Sequence, residues 1–168
     1  EQVAQLVKAQ LKDEMLLVLS APGGMTDSLV SLASAAEQGH DFGLLWEALT
    51  GRCDELKSAV EKKYGAIESW PDFNALKNKL DGVSLIKCCP EQVRAYVISF
   101  GERVSVSLMQ RLLSSHQAVY LEATSCVAST GGYIDAEVDL VTSKARFQAV
   151  LKENPATIYI MPGFTASN

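Results

Sequence analysis

The stretch Ser20-Ala21-Pro22-Gly23-Gly24-Met25-Thr26-Asp27 sets two hydroxyls and a carboxylate around a glycine-rich turn. It follows the apolar run Met15-Leu16-Leu17-Val18-Leu19 and precedes a helical apolar pattern that begins at Leu29. A strand that ends in such a turn and feeds a helix presents free backbone N–H groups at the positive end of the helix dipole, which suits a small anion or polar ligand. The same residues have a plain structural use, because Thr26 and Asp27 are natural N-caps for the helix that follows. Neither G-x-G-x-x-G nor the Walker pattern G-x-x-x-x-G-K-[ST] occurs, so the turn by itself carries no phosphate-binding signature.

Two further stretches could take part in chemistry. Ser99-Phe100-Gly101-Glu102-Arg103 places a carboxylate just after a glycine, where backbone or ligand can approach closely. On the surface, Glu102 and Arg103 are ordinary charges; partly buried, the carboxylate suits a cationic partner such as an amino group. The second is Pro162-Gly163, a glycine turn that closes the apolar strand 157–161. No Ser-His-Asp or Cys-His arrangement assembles around His40 and His116, which flank helices in polar contexts. Cys53, Cys88, Cys89 and Cys126 lack C-x-x-C spacing, so they read as thiols in a reducing compartment rather than as zinc ligands.

The elements that must position these groups follow from apolar periodicity. Val3, Leu6, Val7 and Leu11 predict a helix over 1–12 that runs straight into a strand over 14–20. Leu29, Leu32, Ala33 and Ala36 form one helical stripe, and Leu45, Leu49, Cys53, Leu56, Val60 and Tyr64 form another, closed by Gly65. A third helix is expected over 71–87, with Pro71 near its first turn. From Glu91 to Leu113 the Val and Ile content fits a strand. Val93, Val97, Gly101, Val104, Leu108 and Leu112 nevertheless keep a helical period, which favours one helix or two joined near Gly101. A short strand at 118–122, a Gly-Gly hairpin within 124–139 and a helix over 142–153 capped by Thr142 or Ser143 complete the chain.

Buried strands alternating with long helices predict an α/β protein whose parallel sheet is covered on both faces. At 168 residues one domain is expected. The net charge of −5 and the lack of a Lys/Arg cluster argue against nucleic acid. The apolar runs are far shorter than the ~20 residues of a membrane span. With no signal-peptide pattern either, the expected location is the cytoplasm and no membrane partner is expected. The chain opens inside a helix without a cap and stops just after a strand, and so reads as an internal part of something longer.

Taken together, LLVLSAPGGMTDSLVSLA, ISFGERVSVSLMQRLL, AVYLEA, GGYIDAEVD and PGFTASN resemble aspartate kinases of the amino-acid kinase superfamily, in this order and over nearly the whole chain. The resemblance extends to both monofunctional forms and those fused to homoserine dehydrogenase. It implies a three-layer α/β/α kinase domain with a mainly parallel sheet, incomplete here. That domain transfers the ATP γ-phosphoryl group to the side-chain carboxylate of L-aspartate, with Mg2+, in lysine, threonine and methionine biosynthesis. Carried over by motif, Ser20 and Thr26 match substrate-loop positions and Glu102 matches the carboxylate for the substrate's amino group. Gly163 and Phe164 match the turn that closes over aspartate.

The resemblance also marks what is not in these 168 residues: the K-F-G-G-T-S loop with its lysine, the G-R-x-G-S-D segment and the nucleotide-binding half. The chain is accordingly expected to be the amino-acid-substrate half of the catalytic domain, inactive alone. ATP and Mg2+ would reach the parent through other segments, none would be bound here, and the parent would be a homo-oligomer. Glu-Ala-Thr-Ser-Cys at the end of the strand 118–122 departs from the family, which more often carries an aspartate there. Two other readings stand beside this one: a binding or assembly module that keeps the fold without the chemistry, and an acyl-phosphate-forming kinase for glutamate or carbamate.

Overall fold

The protein is described from a computed structural model, which covers residues 2–11, 14–133 and 136–163. The elements follow in chain order as α1 (Gln2–Gln10), β1 (Met15–Leu19), α2 (Met25–Glu37), α3 (Gly43–Tyr64), α4 (Phe73–Ile86), α5 (Glu91–Leu112) and β2 (Ala118–Tyr120). After these come α6 (Ala123–Cys126), β3 (Ser129–Thr130), β4 (Glu137–Val138), α7 (Leu140–Glu153) and β5 (Ile158–Pro162).

The last strand sits in the middle. β1, β5 and β2 lie side by side in that order, all parallel, with Leu17 opposite Ile160 and Tyr120 opposite the same residue on the other side. Every residue of β5 is buried, which is why Ile158-Tyr159-Ile160-Met161 reads as an unbroken apolar run. Its alternate side chains serve two cores. Ile158 and Ile160 pack with Ala4 and Val7 of α1, Val60 of α3 and Val106, Met109 and Leu112 of α5. Tyr159 and Met161 face the other way, onto Leu121, Ala123 and Cys126, with Phe147, Val150 and Leu151 of α7 behind them.

The α/β class and the parallel pairing agree with the sequence. Coverage on both faces holds at β5 but stops at β1, whose outward Leu16 and Val18 are 44% and 59% exposed. The helix α7 reaches over the centre of the sheet and not over this edge. Among the described residues no helix is long and apolar enough to cross a membrane.

A third core is purely helical. Met25, Leu29, Leu32 and Ala36 of α2 meet Leu76, Leu80 and Val83 of α4 and Val97, Phe100 and Val104 of α5. Phe73 stands edge-on to Phe100, 4.9 Å between centroids, a geometry that contributes about 0.5–1.5 kcal/mol beyond area burial. The single unbroken helix α5 lies between this core and the sheet. It buries both flanks, through Val97, Phe100 and Val104 on one side and Val106, Met109 and Leu112 on the other. This double burial explains a Val-rich sequence that fits either a strand or a helix.

Helix ends depart from expectation in two places. Helix α2 begins at Met25, with Gly24 as its N-cap at φ 73°, so Thr26 and Asp27 lie inside the first turn and cap nothing. Helix α7 is capped by Asp139, whose carboxylate accepts from the N–H groups of Val141 and Thr142 at 3.0 Å, so Thr142 and Ser143 are internal. Asp139 wins because one carboxylate reaches both amides and the Thr142 hydroxyl, whereas the Ser143 hydroxyl is engaged with the Ala128 backbone. The expected hairpin exists as the antiparallel pair β3–β4, with Gly131 at φ 96°.

Candidate functional site

At the carboxyl ends of β1 and β5 three separated stretches meet, where open parallel sheets place their ligands. The turn 20–24 leaves β1, Gly163 follows β5, and the middle of α5 passes beneath both. Gly101 makes that passage possible. A Cβ there would lie 2.7 Å from the Ala21 Cβ and 3.3 Å from Met25, inside any normal carbon contact, so only glycine lets α5 run this close to the turn. One turn further on, Ser105 donates its hydroxyl to the Ser20 carbonyl at 2.7 Å.

Glu102 is held between these contacts. It is only 8% exposed, and its Oε1 lies 3.6 Å from the point that a Cβ on Gly163 would occupy. Gly163 in turn donates its N–H to the Leu19 carbonyl at 3.2 Å. The structure therefore brings Ser20, Glu102 and Gly163 to one place and rules out the surface-charge reading of Glu102. Thr26 is exposed on the first turn of α2, directly after the same loop. Phe164 lies outside the described residues. Because Gly24 has no side chain, no side-chain group caps α2, and the positive end of its dipole stays open beside the loop.

Two residues that periodicity does not single out complete the frame. Arg52, from α3, donates Nη2 to the Gly23 carbonyl. Ser105 was indistinguishable in sequence from any other helix-surface serine. Arg103, the next residue along α5, sets its guanidinium 4.5 Å from the Tyr96 ring. There it lines an open cleft of about 200 Å3 with Trp70, Tyr120, Glu122 and Pro162. The Tyr120 hydroxyl donates to Glu122 at 2.8 Å; burial first, then that bond and charge, push its pKa well above the ordinary phenol. Tyr120 is thus a neutral hydrogen-bonding group, not a base.

Among the described residues no group of three His, Cys, Asp or Glu side chains is placed to hold a metal ion. What the arrangement can do is bind and orient a small zwitterion, with a buried carboxylate for its cation and an uncapped helix start for an anionic group.

No family model matches the chain. Over 166 aligned residues it is 31% identical to the bifunctional aspartokinase/homoserine dehydrogenase of Buchnera aphidicola, across 93% of this chain and 20% of that protein. The fold is similar to E. coli aspartokinase III in complex with lysine and aspartate, in its T state, with a TM-score of 0.71 at 21% identity. That match covers 99% of this chain and 37% of the other. The R-state enzyme in complex with aspartate and ADP gives a TM-score of 0.62 at 20% identity, over 98% and 37%. The chain thus spans about a fifth of the curated relative and little more than a third of these structures. The resemblance carried by its motifs is borne out in both sequence and fold.

Proposed function

We propose that this chain, similar to aspartokinases in sequence and fold over nearly its whole length, is the acceptor-binding part of an aspartate kinase. The observation that carries the reading is the meeting of the Ser20 loop, the buried Glu102 and Gly163 at the carboxyl ends of β1 and β5. Glu102 takes the α-amino group of L-aspartate. The start of α2 and the Thr26 hydroxyl hold an acceptor carboxylate, Ser20 lines the loop side, and Gly163 borders the substrate at the end of β5.

Phosphoryl transfer depends mainly on positioning and on neutralising charge. The described elements supply positioning. MgATP, when bound to the complete enzyme, supplies the phosphoryl group, and its ligands lie outside these elements. The 168 residues alone therefore bind acceptor without turnover. On this reading the parent enzyme is a cytoplasmic homo-oligomer acting at the entry to lysine, threonine and methionine synthesis.

The test is ADP release by the full-length polypeptide with MgATP and, in turn, aspartate, glutamate, homoserine and no acceptor. Release confined to aspartate is expected. Glu102→Gln, which keeps the side-chain volume, should raise the aspartate KM at least about tenfold, the scale of one lost charge-assisted hydrogen bond of ~1.5–3 kcal/mol. Release with glutamate in preference to aspartate, or with no acceptor at all, contradicts the proposal.

A further inference from the structure

Resting on the aspartate reading, we infer that Arg52 is a positioning residue for the acceptor site, acting through the glycine turn. The turn is gripped from two sides by side chains remote in sequence. From α5, Ser105 holds the Ser20 carbonyl at 2.7 Å; from α3, Arg52 Nη2 holds the Gly23 carbonyl at 2.5 Å. The other end of the same guanidinium, Nη1, lies 3.7 Å from the point where a Cβ on Gly24 would sit. The guanidinium therefore lies against the whole Gly23-Gly24 unit.

The consequence concerns backbone freedom. Two consecutive glycines have the largest conformational entropy of any dipeptide, and Gly24 is held at φ 73° in the left-handed region. That angle lets the Met25 N–H reach the Pro22 carbonyl at 2.9 Å, starts α2 at Met25 and fixes where Thr26 presents its hydroxyl. Among the described residues the turn's own restraints are the Pro22–Met25 and Gly24–Ser28 backbone bonds and the Ser28 hydroxyl's bond to the Gly24 carbonyl at 3.2 Å. Arg52 supplies a charge-assisted bond from a helix that is itself packed through Leu49 and Cys53 into the helical core. Arg52 touches no substrate atom in this account; it holds the turn that does.

Two measurements test this independently. In the first, hydrogen exchange of the 168-residue chain is followed in the segment 22–28. Arg52→Ala should speed exchange there about tenfold with the remaining helices unchanged, and Arg52→Lys, which keeps one donor, should fall between. Unchanged rates in the segment, or an equal acceleration throughout the chain, overturn the clamp.

In the second, L-aspartate is titrated into the full-length polypeptide carrying the same variants. Arg52→Ala should weaken the apparent affinity about three- to tenfold, the scale of one partly exposed bond from a charged donor, and Arg52→Lys should restore part of it. Exchange that speeds locally while aspartate binds as tightly as before overturns the positioning role and leaves the kinase reading standing. An unsubstituted polypeptide that does not bind aspartate sinks the kinase reading, and with it this role, while the exchange result still decides the clamp.

Discussion

Glu102 and Glu37 show how differently the fold uses two carboxylates. Glu102 is enclosed by the Ser20 loop and Gly163, where an amino group can compete for it. Glu37, at the end of α2, accepts from Arg94 at 2.6 Å and from the Cys89 N–H at 3.1 Å, tying the start of α5 to α2. The Arg94 hydrogen bond, then the Cys89 N–H, hold the Glu37 carboxyl below its usual range. A carboxyl depressed in the folded state stabilises fully above its unfolded pKa of ~4.3, and that contribution is lost as pH falls through the lower folded value. Glu37→Gln should therefore melt below the parent at pH 7, and the two melting curves should converge as pH falls below ~4. A gap that stays constant across that range contradicts the assignment.

At the scale of elements, Gly101 decides how close α5 comes to the turn. An exposed helical glycine replaced by alanine gains about 1 kcal/mol from propensity alone. Here the new methyl would stand 2.7 Å from the Ala21 Cβ, a side chain too short to rotate away, so backbone must shift. Overpacking of that kind costs about 1–3 kcal/mol, which outweighs the gain. Gly101→Ala should lower the melting temperature and weaken aspartate binding together, whereas a stabilised variant with unchanged binding contradicts the contact.

This element also shows what sequence can and cannot reveal. The helical period from Val93 to Leu112 was legible because it survives in a Val-rich segment. The glycine in Ser-Phe-Gly-Glu-Arg pointed to a close approach but could not say to what. Arg52 was illegible, since its bond is to a carbonyl 29 residues away. The cap at Asp139 was missed because a threonine and a serine nearby offer the same local chemistry; what distinguishes Asp139 is its extended backbone and the two amides its carboxylate reaches.

Across the whole molecule, a helical core and a small sheet share α5 as their common wall, and the candidate site lies on that shared helix where the strands end. Of the motif-derived site residues, Ser20, Glu102 and Gly163 meet there and Thr26 follows on the adjoining turn. The open face of β1, with Leu16 and Val18, marks a border where the sheet is not covered by the described elements. On the proposed reading the acceptor frame lies within these residues: the two holds on the glycine turn, the buried carboxylate and the strand-end glycine.

The most direct test is saturation-transfer NMR of L-aspartate with the 168-residue chain, a method that registers even millimolar binding. Transfer to the Cα and Cβ protons of L-aspartate is expected, with much weaker transfer to L-glutamate and loss of the aspartate signal in Glu102→Gln with the fold intact by its NMR spectrum. Equal signals from the parent chain and Glu102→Gln, or none from aspartate with the parent, would contradict the proposed reading.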